Sequence, residues 1–166
     1  MMPVWEIVLR IIGTIIVPIA GTVLAYLLDS KVAGFARIPK VFRYIILGII
    51  FGGLSICGYY LGANIPYVTV SGDTKYVVFG TTAFAPFISG LIFNWPVPLI
   101  AGVIGAIFRG LINVEDVISV AVVVAILFGV AFAIFLRKVV LRSEKPKWYH
   151  AAVGAIFVEC INKMWN

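Results

Sequence analysis

The feature that most constrains this chain is the stretch 80–110, which is predominantly apolar and holds a single ionisable side chain, Arg109. Its two halves are joined by only Asn94, Trp95 and Pro96, too few residues for a soluble linker, so we predict a tight helical hairpin. Small residues recur every fourth position in both halves, which lets helix backbones approach closely in lipid. An arginine at depth costs about 2.5 to 3.5 kcal/mol to insert, so it normally faces protein, a partner or water. Arg109 is therefore the first candidate ligand-binding residue.

The composition indicates a membrane protein. Hydrophobic residues make up 63% of the sequence and charged residues 12%, whereas soluble domains carry about 25% charged residues. The mean hydropathy is +1.12. Because no polar stretch is long enough for a separate soluble unit, we predict one transmembrane domain over 1–166, with the lipid bilayer as its main partner. The net charge of +6 comes largely from two basic loops, so no nucleic-acid partner is expected.

Six apolar stretches are long enough, or nearly so, to cross about 30 Å of hydrocarbon. The predicted fold class is all-α: a polytopic integral membrane bundle of about six transmembrane helices with a central Gly-rich helical hairpin, similar to S-component-like folds. The predicted helices are 4–28, 44–61, 77–93, 97–112, 117–136 and 148–165. Both limbs of the hairpin are close to the minimum length of a membrane-spanning helix. The alternative of a re-entrant hairpin that never fully crosses the membrane is therefore left open.

The basic residues predict the orientation. Of the 13 lysines and arginines, nine lie in two loops, four in 29–43 and five in 137–147. The positive-inside rule makes both loops cytoplasmic. We therefore predict a multi-pass protein of the bacterial cytoplasmic membrane with its N-terminus outside and, after six spans, its C-terminus outside too. A cytoplasmic output module could not follow directly, so no autonomous signalling output is expected.

The sequence carries no catalytic or metal-binding signal. His150 has no second histidine or acid at a ligand spacing, and Cys57 and Cys160 lie on separate predicted helices, where we expect buried packing thiols. The glycines lie on apolar helices rather than between a strand and a helix, which argues against a phosphate-binding loop. We expect no enzyme activity, no cofactor and no metal.

Polar side chains share a depth in the outer half of the predicted bilayer. They are Tyr59, Tyr60, Thr81, Thr82, Arg109 and the Glu6/Arg10 pair. An outward-facing pocket for a small ligand would have this pattern. Two plainer explanations stay open. The threonines can bond their own helix carbonyls while Arg109 extends to water, and Glu6 and Arg10, four residues apart, can neutralise each other.

The loop 62–76 separates the second predicted helix from the hairpin. In this loop Tyr67 and Thr69 alternate with Val68 and Val70, and Ser71, Gly72 and Asp73 follow as turn formers. This pattern predicts a short extended lid or hairpin. The alternative is an exterior loop without a specific role.

Several of these stretches resemble the membrane region of LytS/YhcK-type bacterial sensors. The similar residues are the run 44–62, Gly80 to Ala83, Gly90-Leu91, and Ala101-Gly102 through Arg109. The family reads approximately Asn-Thr-Arg-Ala, then Gly-Leu-Leu-Gly-Gly-Pro, then Ala-Gly and a closing His-Arg. This chain keeps Thr81, Ala83 and Arg109, whereas Gly80 and Thr82 replace the Asn and Arg, Phe93, Asn94 and Trp95 replace Gly-Gly-Pro, and Phe108 replaces the His.

The resemblance implies a signal-transduction receptor of two-component type that senses a small metabolite or the state of the cell envelope. The partners expected are an unknown small ligand and either a second copy of the chain or an output-domain protein. The candidate ligand-binding residues are Arg109, Thr81, Thr82, Tyr59, Tyr60, Phe108 and Arg10. Because Thr82 stands where the family has an arginine, we expect weak binding of small carboxylates and a preference for a neutral or largely apolar ligand, with Arg109 making the one polar contact.

The alternative function is that of a substrate-binding S component of an energy-coupling-factor vitamin transporter. Such proteins resemble this chain in length, in helix number and in the Gly-rich hairpin. An S component would show a small-residue AxxxA-type stripe on its first helix, where it docks on its transport partner. The small residues Gly13, Ala20 and Gly21, with Pro18 between them, make no clean stripe. The sensor is therefore the preferred hypothesis.

The orientation predicts which loops react with an external reagent. In a background lacking Cys57 and Cys160, a cysteine at Ser71 should be labelled by an impermeant maleimide on intact cells. A cysteine at Ser143 should be labelled only after permeabilisation, because it lies in a basic loop. External labelling at Ser143 would overturn the orientation.

Overall fold

The structure is a computed structural model that describes residues 3–68, 70, 72, 74–79, 82–112, 117–142, 149–150 and 153–154. Within these ranges helices dominate, with one β-hairpin between the second long helix and the central region. The elements are α1 (Val4–Lys31), α2 (Ala33–Ala36), α3 (Lys40–Tyr60), β1 (Ala63–Val68), β2 (Thr74–Phe79), α4 (Phe84–Ile92), α5 (Pro96–Ile112), α6 (Val117–Phe135) and a π-helix (Leu136–Val140).

The predicted all-α membrane bundle is confirmed. Among the described residues, α1 and α3 are long and apolar enough to cross a bilayer, and α5 is a shorter apolar helix. Helix α1 lies at the edge of the bundle and leaves most of its large apolar side chains uncovered, which a soluble protein could not tolerate. The exposed side chains of α1 include Trp5, Leu9, Ile16, Val23 and Leu24.

Helices α3 and α5 run parallel in close contact. A Cβ added to Gly48 would lie 2.6 Å from the Cβ of Ile100, and a Cβ added to Gly52 would lie 2.8 Å from the Cβ of Ile104. The two helices can approach this closely only because both positions lack a side chain.

Helix α4 is the central element of the bundle. All residues from Ala85 to Leu91 are buried, and α3, α5 and α6 surround the helix. A helix that is apolar on every side is expected in such a position. Its nine residues span about 14 Å at 1.5 Å per residue, so α4 is a half-length helix.

The helix predicted over 77–93 is wrong in its first half. Residues 74–79 form β2, and α4 begins only at Phe84. The physical reason is Pro86, which lacks an N–H and would clash with the carbonyl four residues earlier in a continuous helix. That carbonyl belongs to Thr82, and it instead accepts a hydrogen bond from Ser55 Oγ at 2.6 Å.

The extended lid or hairpin predicted for 62–76 is confirmed, and it is longer than expected. Strands β1 and β2 pair antiparallel, from Ala63 opposite Phe79 to Val68 opposite Thr74. Gly72 lies at the turn with φ of 87°, in the left-handed region that glycine tolerates best. The hairpin follows directly from the last turn of α3.

The end of the bundle opposite the β-hairpin carries most of the described basic residues, and we call it the basic end. Asn94, in the turn between α4 and α5, donates a hydrogen bond to the Tyr44 hydroxyl at 2.8 Å, near the start of α3. Arg137, in the π-helix that follows α6, also lies near Tyr44. Burial lowers the pKa of its guanidinium, and the electrostatic interaction with Tyr44 raises it. The first turn of α3 and the end of α6 therefore share one end.

The bounds of the other predicted helices differ little from those in the structure. Helix α1 runs on to Lys31 and α3 begins at Lys40, whereas α5 and α6 match their predicted ranges within one residue. The predicted burial of Cys57 is wrong, because this thiol is exposed on α3. Of the helix predicted over 148–165, only 149–150 and 153–154 are described, and they are helical. The rest of that range, with Cys160, lies outside the described residues.

Two adjacent glycines give a matched test of the α3–α5 contact. Gly52→Ala should lower the free energy of unfolding by about 1 to 3 kcal/mol, because the added methyl overpacks the contact with Ile104. Gly53→Ala is the control, since a Cβ there meets nothing within 4 Å, and it should be neutral or slightly stabilising. Thermal unfolding in detergent measures both. Equal effects of the two variants would contradict the close packing.

Candidate functional site

The parallel course of α3 and α5 brings their final turns together. Tyr59 and Tyr60 close α3, and Phe108 and Arg109 lie near the end of α5. The ring of Phe108 lies 5.9 Å from that of Tyr59 and 5.7 Å from that of Tyr60, both edge to face. We call these four residues the tyrosine cluster. Aromatic pairs in this arrangement contribute about 0.5 to 1.5 kcal/mol beyond their burial.

Arg109 is the unusual member of the tyrosine cluster. Its side chain is only 9% exposed, and its guanidinium carbon lies 4.5 Å from the centroid of the Tyr59 ring. Such a cation–π contact contributes about 2 kcal/mol when desolvated. Within the described part of the chain, however, Nε and Nη1 are buried without a hydrogen-bond partner. A buried charge without acceptors is costly, so this arginine is suited to receive an acceptor from a ligand.

The residues beneath the tyrosine cluster lie one helical turn further into the bundle. Ser55, four residues before Tyr59, donates to the Thr82 carbonyl. A Cβ on Gly105, four residues before Arg109, would lie 2.6 Å from Ser55 Oγ. Ser55, Gly105 and Thr82 thus meet about 6 Å along the helix axes from the cluster. The non-helical entry into α4 is fixed at this level.

Arg10 forms the ion pair with Glu6 that the sequence left open as the plainer explanation, and it also bonds to the end of α3. Its Nε and Nη2 donate to Glu6 Oε1 at 3.3 and 3.2 Å, and its Nη1 donates to the carbonyls of Tyr60 and Gly62 at 3.4 and 3.2 Å. These carbonyls belong to the C-terminal end of α3, where helix geometry leaves acceptors unpaired. Arg10 therefore ties α1 to the last turn of α3 beside the cluster.

The structure brings together Tyr59, Tyr60, Phe108 and Arg109 of the predicted site. Thr82 is buried one turn below them, and its backbone is engaged by Ser55. Thr81 lies outside the described residues. Ser55 was not predicted, and the only signal for it was a hydroxyl in an apolar helix four residues before Tyr59.

These observations define the class of protein: a helical membrane domain with a buried cation among aromatic rings near one end. The chain matches the family model described as 5TMR of 5TMR-LYT over residues 28–165, so it belongs to this family, and the predicted LytS-type membrane region is confirmed. It is a membrane sensor region of the kind found in LytS-type signal transduction. The matched range takes in α3 to α6 and leaves out nearly all of α1. No curated protein and no solved structure matched the chain.

The contacts of Arg10 predict a structural effect without a binding effect. Arg10→Met should reduce stability by about 1 kcal/mol, since a partly exposed charged side chain loses hydrogen bonds to Tyr60 and Gly62. Arg37→Met removes the same charge from an exposed position at the basic end and serves as the control. Thermal unfolding in detergent is the measurement. An Arg10→Met protein of unchanged stability that loses ligand binding would place Arg10 in the binding site instead.

Proposed function

We propose that this sensor region binds a small ligand at the tyrosine cluster, from the outer side of the bacterial cytoplasmic membrane, and has no enzyme activity of its own. The observation that carries the proposal is the state of Arg109, a buried guanidinium with two nitrogens that lack partners among the described residues. In a membrane domain an ionisable group of this kind usually marks a functional site. The rings of Tyr59 and Phe108 supply the surrounding apolar surface.

The chemistry of the cluster limits the ligand. An acceptor oxygen, from a carbonyl or a carboxylate, would satisfy one of the Arg109 donors that lack a partner among the described residues, and the rings would contact an apolar body. A second cation is not offered by Arg10, which is engaged with Glu6 and with two carbonyls. Thr82 supplies no charge where the family has an arginine. We therefore propose a largely apolar ligand, neutral or singly charged rather than polyanionic.

The orientation rests on the arrangement of the helix ends. The basic segment 29–43 ends next to Tyr44, and Arg137, the first residue of the other basic segment, also interacts with Tyr44, so we assign both segments to a single side of the membrane. The positive-inside rule assigns that side to the cytoplasm, which puts the tyrosine cluster and the β-hairpin outside. The N-terminus of α1 is then outside as well, because Arg10 of its first turns contacts the end of α3.

The signal would leave the protein at the basic end, towards an output-domain protein or through a second copy of the chain. The alternative of a transporter S component has no specific support. Its docking surface would need small residues of α1 to be free, but Gly13 and Gly21 face Leu61 and Leu54 within this chain. We therefore prefer the sensor.

Removal of the Arg109 charge tests the proposed site. The first step is mass spectrometry of molecules that co-purify with the full chain. Calorimetry then compares monocarboxylates, their amides and dicarboxylates of matched carbon skeleton. Arg109→Gln should lower the affinity for the class of compound that binds the wild type by about ten- to a hundredfold. This corresponds to roughly 1.5 to 3 kcal/mol for a charge-assisted hydrogen bond. Dicarboxylates should bind weakly to both proteins.

Lys31→Gln provides the control, because it removes an exposed charge at the basic end and should leave affinity unchanged. Tyr59→Leu, which removes the ring beneath the guanidinium, should give a smaller loss than Arg109→Gln. Tight binding that survives Arg109→Gln would remove the cluster as the ligand site.

A further inference from the structure

A cavity lies at the basic end, on the far side of the bundle from the tyrosine cluster. Its volume is about 250 Å³, and its walls are almost wholly apolar. It is bounded by the end of α6, the π-helix and residues 149–150 and 153–154. The lining side chains include Phe132, Leu136, Val140, Leu141, Tyr149 and Val153.

The π-helix builds one wall of this cavity. The N–H of Leu141 donates to the carbonyl of Leu136 at 2.9 Å, five residues back. In an α-helix, residues five apart point about 140° away from each other, whereas one π-turn places them on the same face. Leu136 and Leu141 therefore both line the cavity, and Leu141 is buried although basic residues surround it in sequence.

Basic residues are neighbours of the lining residues along the chain. Arg137 and Lys138 belong to the π-helix, and Arg142 follows Leu141 directly. Lys138 and Arg142 are exposed, and Nη1 of Arg137 is buried without a partner among the described residues. An apolar cavity flanked by cations at the edge of a membrane domain is complementary to a molecule with a hydrocarbon chain and an anionic head.

We propose that this cavity holds an acyl chain of an anionic phospholipid from the adjacent leaflet, with its phosphate bound by Lys138 and Arg142. A soluble anion would gain little from walls that are almost wholly apolar, and a zwitterionic lipid would gain little from the cations. Each basic residue near an anionic membrane surface strengthens binding by about fivefold. This site does not depend on the ligand proposed for Arg109.

Lipids of matched chains test the proposal on the purified full chain in neutral detergent. Phosphatidylglycerol should raise the Tm by several degrees in a saturable way, and phosphatidylcholine with the same chains should raise it much less. Glycerol 3-phosphate alone should have no effect. Val140→Trp, which fills the cavity, should abolish the response to phosphatidylglycerol. Val139→Trp is the matched control, because Val139 is as exposed as Val140 but does not line the cavity.

A series of charge variants provides a second and independent test of the lipid site. The double variant Lys138→Gln/Arg142→Gln should weaken the response to phosphatidylglycerol by about 25-fold in midpoint concentration. Lys31→Gln/Arg37→Gln, with the same change in net charge, should keep it, and Arg109→Gln should also keep it. Equal responses to the two lipids, a full response in Val140→Trp, or a shift produced by glycerol 3-phosphate alone would each overturn the proposal. If Val140→Trp fails to fold, the two charge variants decide.

Discussion

The hydrogen bond from Ser55 to the Thr82 carbonyl is the interaction on which the centre of this protein depends. Pro86 cannot supply the N–H that would pair with this carbonyl in a helix, and a buried carbonyl left unpaired costs about 1 to 3 kcal/mol. Ser55 removes that cost at a distance of 2.6 Å. The chain can therefore enter the bundle without helical structure and still become the half-length helix α4. Non-helical backbone inside a membrane is tolerated only where protein or water satisfies it in this way.

The same interaction explains why α5 carries a glycine at this level. Any side chain at Gly105 would meet Ser55 Oγ at 2.6 Å, so a larger residue would displace the hydroxyl from Thr82. One turn further along the same two helices, Tyr59 and Arg109 meet. The position of the buried cation thus follows from the packing below it. Arg10 shows the contrast, because its donors reach a carboxylate and two carbonyls, whereas Arg109 has an aromatic face and two nitrogens without a partner among the described residues.

Much of this architecture could be predicted from the sequence, because lipid imposes simple rules. Apolar length predicted α1, α3, α5 and α6, and strand alternation predicted the hairpin after α3. The break before α4 was missed because a proline such as Pro86 can be accommodated inside a membrane helix, and the sequence does not show that Ser55 pairs with the Thr82 carbonyl. The cap formed by Arg10 was missed for a similar reason: its acceptors lie 50 and 52 residues away in sequence. In the tyrosine cluster, residue types could be predicted, but not which donors of Arg109 remain free.

Helix α4 connects the two ends of the protein in physical terms. Its N-terminal entry is held at the level of Ser55, beneath the tyrosine cluster, while Phe87 stacks on Phe132, which lines the cavity at the basic end, at 6.2 Å. Because α4 is buried on every side, it cannot shift without moving one of these contacts. Binding at either end can change affinity at the other only if each ligand favours one of two arrangements of such a shared element. Any coupling must then be equal in both directions, so a lipid that stabilises one arrangement of α4 would also change the affinity of the tyrosine cluster for the ligand proposed above.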